Sequence, residues 1–261
     1  MNYTFCTKTD PGRARDNNED SVAFDENTRL AVLADGMGGY NAGEIASGMA
    51  TAFIKSEMSR WLTEAGSNAK PKEIRRALEI CVENANRSIY NAANSNAQYS
   101  GMGTTLVVAA FQGDKVLVGH IGDSRCYRLR GNSLQQITKD HSLLQEQIDA
   151  GLLTQEQAAT SSYKNLVTRA LGVDDAVALD LTEHEVEAGD LYLICSDGLS
   201  DMVDDQEIAG IVNDDQGLEE VADKLVSVAN EHGGRDNISV LLVLASADKE
   251  KRGLISRLLK K

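Results

Sequence analysis

The chain predicts an α+β fold, with strands gathered in runs and helices in separate blocks. Two observations lead there. Apolar or alternating strand-like stretches follow one another in quick succession between residues 104 and 137, with Gly113-Asp114 and Gly131-Asn132 as hairpin turns. The two longest helical patterns also stand next to each other, near 42–62 and 72–94, rather than between consecutive strands as βαβ units require.

The elements follow in chain order. Tyr3 to Thr9 alternates and reads as a first strand, closed by Pro11-Gly12. Ser21–Phe24 and Leu30–Ala34 read as a hairpin with Asp25-Glu26-Asn27 at its turn. Gly38-Gly39 breaks the chain before the first helix, whose Ile45, Met49, Ala52 and Phe53 share a face expected to point inward. The second helix has a clean stripe of Ile74, Ala77, Leu78, Cys81, Val82, Ala85, Ile89 and Ala92. Glu73, Arg75, Glu79 and Arg87 lie opposite it. Strands are expected at 104–111, 116–121, 126–130 and 133–137. Residues 140–170 turn polar, with a helix start at Thr154-Gln155-Glu156-Gln157, and read as a lobe inserted over the strand-rich body. Strands resume at 177–181 and 190–195. A helix at 218–231 turns Leu218, Val221, Ala222, Leu225 and Ala229 inward, and a last strand spans 238–245. One domain over 1–247 is expected, followed by a basic amphipathic tail over 248–261. The tail reads either as a frayed terminal helix or as a docking helix for an acidic partner or membrane surface.

Composition narrows the function. Of 261 residues, 42% are hydrophobic and 25% charged, as in an ordinary globular protein. The net charge of -14 argues against a nucleic-acid partner, which would need a basic face. It leaves an anionic substrate open, because bound divalent cations invert the field at a carboxylate cluster. Cys6, Cys81, Cys126 and Cys195 form neither a CxxC pair nor a zinc spacing, so reduced core thiols in a cytoplasmic protein are expected. The N-terminus lacks a signal-peptide apolar run, and no stretch reaches the ~20 apolar residues of a spanning helix.

Three carboxylates stand where strands begin or end. Leu30–Ala34 runs into Asp35-Gly36, Leu191–Cys195 runs through Ser196 into Asp197-Gly198, and Asp236 precedes the strand from Ile238. Strands bury their bodies and deliver their ends to fixed places, and Asp oxygens suit Mg²⁺ or Mn²⁺. Two such ions side by side are a device for attacking phosphate esters. Glu19-Asp20 and Asp123 add carboxylates, and Arg15 adds a cation. Each is weak alone, since an isolated Asp-Gly is usually a turn.

Together the segments Arg15-Asp16-Asn17-Asn18-Glu19-Asp20, Ala34-Asp35-Gly36-Met37-Gly38-Gly39, Gly103-Thr104-Thr105, Gly122-Asp123-Ser124-Arg125, Ser196-Asp197-Gly198 and Gly234-Arg235-Asp236-Asn237 carry a resemblance. In this order, from 15 to 237, they resemble the metal-dependent Ser/Thr protein phosphatases of type 2C in their compact bacterial form. The resemblance implies a four-layer α/β/β/α sandwich, in which two antiparallel sheets are flanked by helix pairs and 140–170 forms a flap. It implies two Mn²⁺ or Mg²⁺ ions bridged by Asp35, with Asp197 and Asp236 on the first and the Gly36 carbonyl on the second. Glu19 and Asp20 would act through waters, Asp123 with Asp197 would form a third, weaker position, and Arg15 would grip the phosphate.

The reaction so implied is hydrolysis of phosphoserine and phosphothreonine by a hydroxide bridging the two ions, in line and without a covalent intermediate. One departure stands out. Many eukaryotic relatives carry His where this chain has Met37, which cannot donate a proton, so a metal-bound water would protonate the leaving alkoxide. His120 and His232 are expected to be structural. Expected partners are phosphorylated proteins, including a Ser/Thr kinase or its targets in cytoplasmic signalling, and the chain is expected to be a monomer. The readings set against this are an inactive phosphoprotein-binding module and a hydrolase of small phosphorylated metabolites.

Overall fold

The computed structural model describes residues 1–38, 42–66, 69–154, 157, 166–214 and 216–247. Gly39, the middle of the expected flap and the basic tail over 248–261 lie outside them.

Two sheets face each other. The first has five strands in the order β1 (Asn2–Asp10), β11 (Ile238–Ser246), β10 (Leu191–Cys195), β7 (Arg125–Arg130) and β8 (Ser133–Gln136). The second runs β2 (Asp20–Asp25), β3 (Leu30–Met37), β5 (Leu106–Gln112), β6 (Lys115–Ile121) and β9 (Asp180–Glu185), with the short β4 (Gly103–Thr104) on the end of β3. The strand pairs are antiparallel. The central strands are apolar on both faces, for a reason the period-2 geometry supplies. Ala31, Leu33, Val107, Ala109, Tyr192, Ile194, Leu241 and Val243 point between the sheets. Their neighbours Leu30, Val32, Leu106 and Val108 point out toward one helical layer. Leu193, Cys195, Val240 and Leu242 point toward the other.

Helices α1 (Ala42–Ala65) and α2 (Pro71–Ser95) cover the second sheet. The stripe on α2 buries Ile74, Leu78, Cys81, Val82, Ala85 and Ile89, as its spacing predicts. On α1 the inward face is rotated from the expected one. Ala46, Ser47, Ala50, Thr51, Ile54 and Met58 are buried, whereas Ile45, Met49 and Phe53 are only partly covered and Ala52 is exposed. Small side chains let α1 lie close on β3, and the larger ones are left to pack at the margin of the layer.

Among the described residues, further α-helices are α3 (Leu143–Asp149), α4 (Asp197–Ser200), α5 (Asp205–Val212) and α6 (Leu218–Glu231). The last two cover the first sheet through Ile208, Ile211, Val221, Leu225 and Ala229. The short α4 and α5 have no counterpart in the sequence reading. The expected strand at 177–181 lies further on, at Asp180–Glu185, and Val177 and Leu179 instead pack their side chains against the α1–α2 layer. The expected strand 104–111 is interrupted at Thr105, whose N–H leaves the ladder and donates to the Asp35 carbonyl at 2.9 Å. Within the stretch expected to form a lobe, Thr154 and Gln157 exchange the hydrogen bonds of a capping box. All four cysteines are free, as expected.

Candidate active site

At one end of the sandwich, Arg15, Glu19, Asp35, Gly36, Met37, Gly38, Thr105, Asp123, Leu166, Val167, Asp197 and Asp236 line a cleft of about 420 Å³. Seven of the eight residues singled out in the sequence meet here. The eighth, Asp20, lies beneath the floor as the cross-strand partner of Asp35.

Each carboxylate is placed by backbone. Asp35 is held by the 103–105 segment. Its N–H donates to Thr105 Oγ1 at 3.0 Å, and its carbonyl accepts from Thr104 Oγ1 at 2.8 Å. Asp197 opens α4 two residues beyond β10, and Gly198 is pressed against the backbone before β11. A Cβ on Gly198 would lie 2.0 Å from the Asn237 carbonyl oxygen. Asn237 ties three segments together, with its Oδ1 accepting from the Glu19 N–H at 2.8 Å and its Nδ2 donating to the carbonyls of Pro11 and Asn17. Ser196 Oγ donates to Asp20 Oδ2 at 2.8 Å and accepts from the Ser239 N–H at 3.0 Å. Gly36 admits Glu19 and the start of α1, since a Cβ there would meet the Gly43 carbonyl oxygen at 2.2 Å.

Arg15 lines the cleft and is paired within it. Its Nη2 donates to Asp236 Oδ2 at 2.7 Å, so at least one arm of the fork engages a carboxylate rather than facing the cleft alone. The site is otherwise strongly anionic, and the guanidinium takes the nearest charge. His120 and His232 bond to backbone carbonyls, at Lys139 and Met202. Neither lines the cleft, in keeping with structural roles.

The electrostatics favour cations. Burial first, then the charges of Asp20, Asp197, Asp123 and Asp236, push the Asp35 carboxyl well above the usual range. Asp197 is raised in the same way, by burial and then by Asp123, Asp201, Asp236 and Asp20. Asp20 is pushed up to about 7 by burial, against the hydrogen bonds of Ser239 and Ser196. Asp123 rises to about 6 through burial and Asp140. Asp20 Oδ1 and Asp197 Oδ1 are buried without a hydrogen-bond partner among the described residues. Crowded, desolvated carboxylates with spare lone pairs and an all-oxygen donor set fit hard divalent cations.

The tightest group of ligand atoms among the described residues lies elsewhere. His120, His141 and Asp180 present atoms within 4.8 Å of one another. That group does not suit an ion. Arg169 Nη1 already sits 3.4 Å from His141 Nε2 and 3.2 Å from Asp180 Oδ1. The two rings are stacked, with centroids 4.6 Å apart and planes 15° from parallel, so their lone pairs do not converge.

Against known proteins, the family model described as protein phosphatase 2C matches residues 13–242. The chain belongs to the protein phosphatase 2C family. Within it, the chain is 38% identical to the serine/threonine phosphatase Stp of Listeria welshimeri over 239 residues, covering 90% of this chain and 93% of that one. It is 39% identical to the protein phosphatase PhpP of Streptococcus pneumoniae over 238 residues, covering 90% and 94%. The structure of the S. agalactiae serine/threonine phosphatase superposes with a TM-score of 0.86 at 37% identity, covering 94% of this chain and 100% of that one. The catalytic domain of the phosphatase PstP, in complex with two manganese ions, superposes with a TM-score of 0.81 at 37% identity, covering 94% and 99%. The two-sheet, helix-flanked architecture is thus that of the protein phosphatase 2C family.

Sequence reasoning gave no role to Thr104, Thr105, Ser196 or Asn237. All four stand in the motif segments, Ser196 and Asn237 beside expected carboxylates and Thr104 and Thr105 beside none, so the motifs are the signal that marks them. Leu166 and Val167 were hidden in a polar stretch with no motif.

Proposed function

We propose that this cleft removes phosphate from phosphoserine and phosphothreonine in proteins, with Asp35, Asp197 and Asp236 as the principal ligands of two Mn²⁺ or Mg²⁺ ions. The Gly36 carbonyl and the carboxylates of Glu19 and Asp20 complete the surroundings, the last two through water. Asp123 with Asp197 offers a third, weaker position. The observation that carries the reading is the set of buried, mutually repelling carboxylates with orphan oxygens on Asp20 and Asp197, around a cleft that carries Arg15. Metal-dependent phosphoprotein phosphatase activity is the family's activity, and this site has the donors for it.

When bound, the ions neutralise phosphate charge and lower the pKa of a water from 15.7 toward about 7. The chain's own residues supply the rest. Arg15, held by its bond to Asp236, would offer the rest of its fork to phosphate oxygens. The Thr104 and Thr105 hydroxyls hold the Asp35 backbone so that its carboxylate faces the cleft without rearrangement, and such preorganisation supplies much of the rate. Met37 lines the cleft and has no proton to give, so no side chain at that position protonates the leaving alkoxide. The intact carboxylate set speaks against an inactive binding module.

No helix among the described residues is long and apolar enough to cross a membrane. We place the protein in the cytoplasm, acting on the products of a Ser/Thr kinase. Phosphopeptide dephosphorylation with and without Mn²⁺, beside a panel of sugar phosphates, tests the reading. Release of phosphate from the peptides only with metal supports it. A preference for sugar phosphates would move it to the small-metabolite alternative, and metal-independent turnover would overturn it.

A further inference from the structure

The loop that carries Asp123 has only a short turn, Gly122 to Ser124, between β6 and β7. Ser124 Oγ pairs with Thr105 Oγ1 at 2.7 Å, and both polar groups of the Gly122 backbone lead to one residue. The Gly122 N–H donates to His141 Nδ1 at 3.1 Å, and the Gly122 carbonyl accepts from the His141 backbone N–H at 2.9 Å. One residue therefore grips both polar groups of Gly122. On the opposite side Gly122 rests on Thr105, where a Cβ would lie 2.7 Å from Cγ2, and its φ of +99° suits glycine.

The grip requires a particular form of the ring. Nδ1 accepts, so the proton sits on Nε2, which faces Asp180 Oδ2 at 3.1 Å. A carboxylate behind an imidazole fixes both tautomer and orientation. Arg169 braces Asp180 at 3.2 Å, and His120 stacks on the ring and is itself tethered to the Lys139 carbonyl at 2.7 Å. This is an extensive framework for a histidine that does not reach the cleft. The same residue also joins the two ends of the inserted lobe. Its carbonyl accepts from the Thr168 N–H at 2.8 Å, and Ser142 bridges Val167, which lines the cleft with Leu166.

We propose that His141 is a positioning residue for Asp123, with Asp180 as the group that holds its tautomer. It fixes the angle at which the Asp123 carboxylate enters the cleft and sets it in register with the lobe at 166–168. The inference rests on the reading of Asp123 as a weak cation ligand, and it predicts which of the site's cation affinities depends on a residue outside the cleft.

The test titrates Mn²⁺ into metal-stripped protein by calorimetry and, in parallel, measures the Mn²⁺ dependence of phosphopeptide turnover. His141→Ala removes the acceptor. His141→Asn places Oδ1 close to where Nδ1 stands and keeps it. The expected result for His141→Ala is a weakening of about tenfold in the weakest Mn²⁺ step, the scale of one lost buried hydrogen bond, with the tighter steps unchanged. His141→Asn should recover most of that loss, and Asp180→Asn should fall between the two. If the Ala and Asn variants behave alike, whether both bind as the wild type does or both fail, the acceptor role is overturned. Failure of the wild-type protein to bind Mn²⁺ would instead sink the proposed function itself, and so the two failures are told apart.

Discussion

Gly198→Ala is the sharpest structural test of how the site is assembled. Gly198 follows Asp197, and a Cβ there would sit 2.0 Å from the Asn237 carbonyl oxygen and 2.9 Å from its carbon. Both are backbone atoms, so no flexible side chain can yield. Restoring 3.4 Å, the start of ordinary contact, requires the Asp197 turn and the Asp236-Asn237 segment to separate by about 1.4 Å. Those segments carry two of the three principal carboxylates. A misplacement of about 1 Å near a reacting centre costs on the order of 10²-fold in rate, so kcat/KM for a phosphopeptide should fall by about that factor. Overpacking should also lower stability by about 1–3 kcal/mol, read by denaturant titration. The control is Gly210→Ala on α5, where a Cβ meets nothing within 4 Å and the helix should gain up to about 1 kcal/mol with turnover unchanged. If Gly198→Ala keeps wild-type turnover and Mn²⁺ affinity while folding normally, the rigid apposition of the two segments is not what positions the ligands.

Asp35→Asn should lower turnover by orders of magnitude even at high Mn²⁺, whereas Arg15→Ala should chiefly raise KM, both read from steady-state phosphopeptide kinetics. EDTA should abolish activity, with Mn²⁺ restoring it more readily than Ca²⁺, whose larger and looser shell suits the site less well. Asp20 and Asp123 have folded pKa values raised to about 7 and about 6, so their contribution to stability is present below the unfolded carboxylate range near 4 and is lost as pH rises through 6–7. The melting temperature of the chelated protein should therefore fall between about pH 4 and 7, and Mn²⁺ should remove most of that slope. Ser196→Ala strips Asp20 Oδ2 of a donor and the Ser239 N–H of an acceptor, and should cost about 1–3 kcal/mol by thermal denaturation.

The fold was legible where a single period dominated. The α2 stripe and the strands of the central sheets buried what their spacing marked, because each faced a uniform apolar layer. The face of α1 is not legible in the sequence, because Ala46 and Ala50 make the close approach while the larger side chains stay at the margin, an arrangement set by the sheet and not by the helix. The strand expected at 177–181 begins later, at Asp180, because Val177 and Leu179 are apolar for packing on a helical layer rather than for alternation in a sheet. The carboxylates are legible because acidic residues set in order at strand boundaries, two of them in Asp-Gly pairs, are improbable without a shared purpose. The hydroxyls and amides that hold them, at Thr105, Ser196 and Asn237, are not. Their partners lie 70, 176 and 218 residues away, and no local pattern records such a contact.

Carboxylates remote in sequence converge on this cleft, where we propose that they hold divalent cations. Anomalous diffraction from a manganese-soaked crystal tests it most directly. The account predicts two strong peaks within bonding distance of the carboxylates of Asp35, Asp197 and Asp236. A cleft free of anomalous density, or peaks held only by residues outside it, would contradict the account.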